Sequence, residues 1–168
     1  RAVAANRKHD YFPVWGTCLG FEWLMDHFAG NNTMAHGFDS EDLALPLNFT
    51  SEAAHSRTYA RANETLRRWL ATEAITYNAH QQGIGPSRFA SIPSLSDEFR
   101  VLATGADRKG RVFVAQVEHR TLPVYANQFH PEKIEFVPGR TIPRTPHAIA
   151  AARSLAAFFV SEAAKSDH

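Results

Sequence analysis

Apolar residues recur along the chain with two spacings, and together they predict alternating strands and helices. Residues 11–15 form a short apolar run bounded by Asp10 and Gly16, which is typical of a buried strand. Residues 19–29 follow with helical spacing, and Gly30 is suited to end that helix as its C-cap. The first thirty residues therefore predict a strand, a sharp turn and a helix.

The middle of the chain alternates between polar loops and periodic segments. Residues 31–42 and 81–96 are polar or rich in turn-forming residues, and both predict loops. Residues 43–50 predict a short strand, which Pro46 restricts to a sheet edge or a bend. Two longer periodic segments predict a helix and a strand, at residues 60–74 and 74–80.

The second half predicts a β-hairpin, a return strand and a terminal helix. The three strands lie at residues 100–107, 111–119 and 123–129. A turn at Asp107 to Gly110 joins the first two strands. Thr145 as N-cap and Pro146 at the first helical position begin the final helix, which extends to about Ala164. We expect one domain over residues 1–168, of the α/β class with antiparallel strands late in the chain.

Composition narrows the function classes. The 168 residues hold 18 basic and 17 acidic side chains, a net charge of +1, which gives no electrostatic case for nucleic acid as a partner. No apolar run approaches the roughly 18 residues of a membrane span, so we expect no membrane insertion. Cys18 is the only cysteine, which excludes a disulfide within the chain. Arg1 is the first residue and no signal peptide is visible, so we expect the chain to begin inside a longer product.

Three N-glycosylation sequons begin at Asn31, Asn48 and Asn63. Such triplets also arise by chance in cytosolic proteins. Three within a short span favour a secretory route and make these asparagines candidate glycosylation sites.

The only cysteine lies in Gly16-Thr17-Cys18-Leu19-Gly20, between the first strand and the first helix. This pattern is typical of a nucleophile elbow, a sharp turn that strains the nucleophile's backbone and requires small neighbours. The N-terminus of the helix favours a thiolate, and the amide of Leu19 points to where an oxyanion would develop. The alternative is a buried cysteine in a glycine-flanked turn.

A nucleophilic thiol needs a base, and the stretch "YANQFHPEK" at residues 125–133 provides a candidate. His130 follows an apolar strand, and Pro131 stiffens the chain after it. Glu132 lies two residues further, so in an extended segment it faces the same way and can orient the imidazole. The alternative is a histidine at a strand end beside a solvated glutamate.

Three stretches together resemble gamma-glutamyl hydrolase, a family of class I glutamine amidotransferase-like proteins and C26 cysteine peptidases. They are "YFPVWGTCLGFE", "LPLNFT" followed by "HSR", and "PVYANQFHPEK". The resemblance implies a three-layer α/β/α, flavodoxin-like sheet, with this chain as its C-terminal portion and the N-terminal strands of that sheet missing. It covers most of the chain and is weakest at residues 31–42, 81–98 and 134–144.

The resemblance implies a role for each residue of the site. Cys18 is the nucleophile, His130 the general base and acid, and Glu132 the carboxylate that orients it. The backbone NH of Leu19 serves the oxyanion. Substrate contacts are expected at Glu22, His80 and His55. No metal and no organic cofactor is implied.

The activity implied is hydrolysis of gamma-glutamyl bonds, such as those of folylpoly-gamma-glutamates, through an acyl-enzyme. Secreted, lysosomal or vacuolar placement goes with it. Two alternatives are a non-catalytic structural subunit that keeps the fold, and a related amidase or a glutaminase that works with a synthase partner.

The predicted strand at residues 11–15 also implies a polypeptide partner. A strand that is apolar throughout is typical of a sheet interior, with neighbours on both edges. The following segments provide strands for one side only. We therefore expect residues 1–168 to dock against another polypeptide segment, either a missing N-terminal half or a partner chain, with a homodimer left open.

Overall fold

A computed structural model describes residues 1–30 and 32–168. The strands are β1 Val14–Thr17, β2 Ala35–Leu45, β3 Asn48–Phe49, β4 Thr76–Gly83, β5 Phe99–Ala106, β6 Val112–His119 and β7 Val124–Asn127. The helices are α1 Ala2–Asn6, α2 Leu19–Ala29, α3 Glu64–Thr72, α4 Pro86–Ala90, α5 Pro93–Ser96, α6 Lys133–Phe136 and α7 Pro146–Ala163, with a 3-10 helix at Ser51–His55. Within this described part of the chain, no helix has both the length and the apolar character needed to cross a membrane.

The strands form two sheets. The larger has five strands in the order β1-β7-β6-β5-β3, and the smaller pairs β2 with β4. β1 runs parallel to β7, whereas the other pairs are antiparallel. The predicted α/β class is confirmed, and so are the hairpin of β5 and β6 and the return strand β7.

Helices cover both faces of the five-stranded sheet, which gives the predicted three layers. On one face Phe21 and Met25 of α2, with Phe89 and Leu95 from α4 and α5, pack against β6 and β7. On the other face α3, α6 and α7 pack against β5 and β6 together with the small sheet, in a cluster that includes Leu155. The parallel β1–β7 pair therefore lies between α2 and α7, and both strands end at the same edge of the sheet.

β1 is the edge strand on its side of the sheet, with β7 as its neighbour. It spans residues 14–17, and Val14, Trp15 and Thr17 are only half-buried, so the predicted strand at 11–15, buried on both faces, was wrong in register and burial. The Val14 amide donates to the carbonyl of Pro123, just before β7, and the Cys18 amide donates to the carbonyl of Asn127 at the end of β7. Because successive residues of a strand direct their backbone groups to opposite edges, those of Trp15 and Thr17 face away from β7.

An open apolar groove of about 740 Å³ lies between β1 and the helices α6 and α7. We call it the edge groove. Its lining includes Trp15, Phe136, Leu155, Ala156 and Phe159. Phe136 is 79 % exposed there, an unusual position for a large apolar side chain.

Two segments predicted as loops contain regular secondary structure. Residues 35–42 of the first segment belong to β2, whose pairing with β4 is interrupted by register shifts and by positive φ at Gly37 and Asp42. These irregularities remove the alternation that marks a strand in sequence, so the prediction was wrong. Residues 81–96 contain the end of β4 and the short helices α4 and α5, each with proline at its first turn.

Candidate active site

Cys18 lies at the sharp turn between β1 and α2, as the elbow pattern predicts. Its φ of 51° and ψ of −108° are a strained conformation for a residue with a side chain, and it is the N-cap of α2. The Cys18 amide donates to the carbonyl of Asn127 at 2.8 Å, so the turn is tied to the end of β7. Leu19 is the first residue of α2, so its amide has no acceptor within the helix. That free amide is suited to an oxyanion beside Cys18.

The two glycines of the elbow are not equivalent. A Cβ on Gly16 would lie 2.6 Å from the Gly20 carbonyl oxygen and 2.6 Å from a methyl carbon of Leu24. A Cβ on Gly20 would meet no described atom within 4 Å. Close packing of β1 under α2 therefore requires glycine at position 16, whereas the expectation that position 20 must also be small has no steric basis in the described residues.

Gly16→Ala should destabilise the protein by about 1–3 kcal/mol, because the overpacked Cβ must push α2 away from β1. Gly20→Ala should instead be neutral or stabilise by up to about 1 kcal/mol, because alanine is the better helix former. Urea unfolding of the two variants, followed by circular dichroism, measures both changes. Equal destabilisation by the two substitutions would contradict this assignment.

His130 stands between Cys18 and Glu132, on the segment that follows β7. Its Nδ1 is 2.6 Å from Oε1 of Glu132, and its backbone amide donates to the carbonyl of Tyr77 at 2.7 Å. With Nδ1 bound to the carboxylate, Nε2 is left for the thiol. The structure thus assembles the three residues expected for a thiol, a base and an orienting carboxylate.

The close approach of these residues shifts the pKa values of His130 and Glu132. Burial lowers the pKa of His130, but hydrogen bonds and charges from Cys18 and Glu132 outweigh burial and raise that pKa to about 9. Burial acts to raise the pKa of Glu132, yet the hydrogen bond to His130 and its charge hold that pKa below the ordinary value. At neutral pH the imidazole is therefore protonated and can serve as the counter-ion of a thiolate and as an acid.

Glu22 lies one helical turn beyond Cys18 and is 6 % exposed. Oε1 of Glu22 accepts a 2.9 Å hydrogen bond from the side-chain amide of Gln128. Burial raises the pKa of Glu22, and the charge of Asp26 acts in the same direction. The hydrogen bond from Gln128 and the neighbouring His36 lower it. The carboxylate predicted as a substrate contact is thus brought to the site, held by a glutamine that the sequence analysis did not single out.

β4 of the small sheet completes the wall opposite the elbow. The carbonyl of Ala79 lies 3.9 Å from Sγ of Cys18, and His80 follows it. Nδ1 of His80 lies 2.7 Å from the carbonyl of Gln82, so Nδ1 carries the proton and Nε2 is an acceptor. Burial is the main cause that lowers the pKa of His80 to about 4, and the charge of His130 contributes. His80 is therefore a neutral, buried acceptor beside the charged His130.

Several buried polar atoms have no hydrogen-bond partner among residues 1–30 and 32–168. They are Ser40 Oγ, Asn78 Oδ1, His80 Nε2, Asn127 Oδ1 and Gln128 Oε1. His80 and Ser40 are direct partners in the β2–β4 ladder, and Asn127 and Gln128 are at or next to the end of β7. Because a buried polar atom left unpaired costs about 1–3 kcal/mol, these atoms on β2, β4 and the end of β7 would be stabilised by a polar partner such as water or a ligand.

The remaining predicted residues lie elsewhere. His55 is exposed, and the nearby Arg57 binds Glu118 and the carbonyls of His119 and Leu122, at the end of the sheet remote from Cys18. The structure therefore does not bring His55 to this site. Asn48 and Asn63 are exposed, with Asn63 as the N-cap of α3 through its side-chain oxygen, whereas Asn31 lies outside the described residues.

Comparisons with known proteins agree with this geometry. The family model for glutamine amidotransferase class-I matches residues 2–145. The gamma-glutamyl hydrolase of Homo sapiens is 40% identical over 161 residues, covering 95% of this chain and 50% of that protein. The gamma-glutamyl hydrolase of Rattus norvegicus is 38% identical over 170 residues, covering 100% of this chain and 53% of that protein.

Solved structures share the fold at low identity. A crystal structure from Thermoplasma acidophilum, provisionally described as a GMP synthase component, superposes with a TM-score of 0.54 at 16% identity, covering 96% of this chain and 64% of the other. The chain spans about half the length of the curated relatives it matches. A family model that covers most of the chain, and a sheet and elbow arranged in agreement with it, show that the chain belongs to the class I glutamine amidotransferase family.

Proposed function

We propose that the protein hydrolyses gamma-glutamyl amide bonds, including those of folylpoly-gamma-glutamates, with Cys18 as the nucleophile. The observation that carries this proposal is the position of His130, whose Nδ1 is bonded to Glu132 and whose pKa is raised by Cys18 and Glu132. Similarity to proteins named gamma-glutamyl hydrolase, over nearly the whole chain, supports the choice of bond.

In the acylation step, the Cys18 thiolate attacks the γ-carbonyl carbon and a carbon–sulfur bond forms. The Leu19 amide stabilises the negative charge that develops on the carbonyl oxygen. The protonated His130 then gives its proton to the nitrogen of the scissile bond. The carbon–nitrogen bond breaks, the amine leaves, and a γ-glutamyl thioester remains on Cys18.

In the deacylation step, the neutral His130 takes a proton from water, and the hydroxide attacks the thioester. The carbon–sulfur bond breaks, the acyl group leaves as a free γ-carboxylic acid (glutamate when the substrate is the γ-linked dipeptide), and the thiolate and imidazolium pair is restored. Glu132 holds Nδ1 through both steps, so Nε2 keeps its direction towards the reacting atoms.

Glu22 and His80 are proposed as substrate contacts. Glu22 offers a carboxylate, and His80 offers a bare Nε2 acceptor on the opposite wall. The α-nitrogen of a γ-glutamyl residue carries a donor that suits such acceptors, an amide N–H within a folylpoly-gamma-glutamate and an ammonium group in the free dipeptide.

The test is turnover of γ-linked glutamyl-glutamate by the full-length protein, with the α-linked dipeptide as control. We expect release of glutamate from the γ-linked dipeptide only, and loss of this activity when iodoacetamide alkylates Cys18. The rate of Cys18 alkylation at pH 7 should exceed the rate for free cysteine, because His130 supplies a positive charge near the thiol. A folded protein that leaves the γ-linked dipeptide intact would indicate the structural subunit, and ammonia release from glutamine only with a partner would indicate the glutaminase.

A further inference from the structure

Gln128 is the buried polar residue that joins the two sides of the candidate site. It is fully buried, and its backbone amide donates to the carbonyl of Ala115 at 2.8 Å. Its side-chain Nε2 lies 2.9 Å from Oε1 of Glu22 and 3.9 Å from Sγ of Cys18. One amide group therefore contacts both the nucleophile and the buried carboxylate.

The direction of this side chain follows from the alternation along β7. Val124 and Ala126 pack on the α2 face of the sheet, and Gln128 continues that face by the two-residue period. Phe129 belongs to the cluster on the other face. The segment after β7 therefore places the amide of Gln128 beneath α2, near Cys18 and Glu22. The two preceding residues on this face, Val124 and Ala126, are apolar core residues.

The orientation of the amide follows from its neighbours. A carboxylate only accepts hydrogen bonds, so Nε2 and not Oε1 of Gln128 must face an ionised Glu22. The second hydrogen on Nε2 is then directed to the side of Cys18, where a thiolate accepts it.

We propose that Gln128 is a positioning residue for the proposed hydrolysis, which holds Glu22 beside Cys18 and directs its second N–H at the sulfur. This inference rests on the proposed function for its catalytic consequence only, since the contacts are independent of any substrate. Without Gln128, Glu22 loses the hydrogen bond that opposes the effect of burial on its pKa, while Asp26 on the same helix and His36 on β2 remain as its titratable neighbours. Glu22 should then ionise at higher pH.

The test compares Gln128→Met with Gln116→Met in the full-length protein. Gln116 is also fully buried, on the neighbouring strand β6, but its side-chain oxygen accepts from Tyr59 and makes no contact with Cys18. Both substitutions keep the length of the side chain and remove one buried amide, so they control for general loss of stability. Gln128→Leu, which also removes the N–H donor and adds no charge beside Glu22, is the second variant if Gln128→Met fails to fold.

The first measurement is the pH dependence of Cys18 alkylation by iodoacetamide, which needs no substrate. We expect alkylation at pH 7 to slow by about tenfold in both Gln128 variants, with the midpoint moved to higher pH, and no change in Gln116→Met. The second is kcat/KM for γ-linked glutamyl-glutamate, whose acid limb should move to higher pH in the Gln128 variants. An unshifted alkylation profile in a folded Gln128 variant, or an equal shift in Gln116→Met, would overturn the proposal. If alkylation shifts as expected but the unmodified protein hydrolyses no γ-glutamyl bond, the proposed function fails while the role of Gln128 in holding the thiol stands.

Discussion

His130→Ala should lower kcat for γ-glutamyl hydrolysis by about a thousandfold, within the roughly 10²–10⁴-fold that positioned acid–base groups contribute. Without the imidazole, the leaving amine has no proton donor and the thiolate has no counter-ion. Steady-state rates on γ-linked glutamyl-glutamate, with circular dichroism to confirm folding, measure the effect. Retention of more than about a tenth of kcat would be incompatible with general acid–base catalysis by His130.

Glu132→Gln should lower kcat less than His130→Ala does, because glutamine keeps an oxygen that can accept a hydrogen bond from Nδ1 of His130. It should also move the alkaline limb of the rate profile. The limb reports loss of the His130 proton, whose pKa of about 9 is raised by Cys18 and by Glu132. Removing the charge of Glu132 lowers that pKa. The alkaline loss of activity should therefore begin at a lower pH in Glu132→Gln than in the unmodified protein. A larger loss of kcat for Glu132→Gln than for His130→Ala would reverse the two roles.

The outer edge of β1 should be paired with another polypeptide strand in the native protein. Its Trp15 and Thr17 backbone groups face away from β7, and the edge groove beside it is apolar and lined by Trp15, Phe136 and Phe159. Unpaired groups on a strand edge are a template for a further strand. In protein purified from its source, we expect the Trp15 and Thr17 amides to exchange at least about a hundredfold more slowly than unprotected amides.

Residues 1–168 expressed alone provide the comparison. There, Trp15 and Thr17 should exchange as exposed amides, and urea unfolding should lack a single cooperative transition. The Val14 amide, which donates to Pro123, is the internal control because it does not depend on a strand at the outer edge. A cooperative monomer with slow exchange at Trp15 and Thr17 would mean that the edge is closed from within these residues.

Much of the fold could be predicted because its strongest patterns are local. The helix that ends at Gly30, the hairpin around Asp107 to Gly110 and the helix capped by Thr145 each depend on neighbouring residues only. β2 could not be predicted, because its shifted register with β4 replaces the alternating pattern by tertiary pairing. The burial of β1 was overestimated for a related reason, since apolar residues do not reveal whether a strand has one neighbour or two.

The site likewise contains residues that local sequence patterns predict and residues that they do not. Cys18 and the His130–Glu132 pair are visible in sequence, because an elbow and a two-residue spacing are local features. The carbonyl of Ala79 beside Sγ has no sequence signal, because it depends on how β4 packs against the large sheet. Gln128 had a usable signal, a polar residue at the next inward position after Val124 and Ala126, and only the structure gives it Glu22 as a partner. His55 was expected near the substrate from its stretch of sequence, and its distant place follows from the anchoring of Arg57.

The adjacency of β1 and β7 has a consequence for biosynthesis. Cys18 and Gln128 are 110 residues apart, and the elbow is tied to the carbonyl of Asn127 at the last strand of the sheet. A contact this distant in sequence forms late in folding, because the intervening chain must first be ordered. During translation, at about 5–20 residues per second, the thiol therefore exists for several seconds before His130, its proposed base, has been made. We therefore expect a ribosome-bound or prematurely terminated chain to carry an ordinary cysteine, and the proposed reactivity of Cys18 to arise only when β7 joins the sheet.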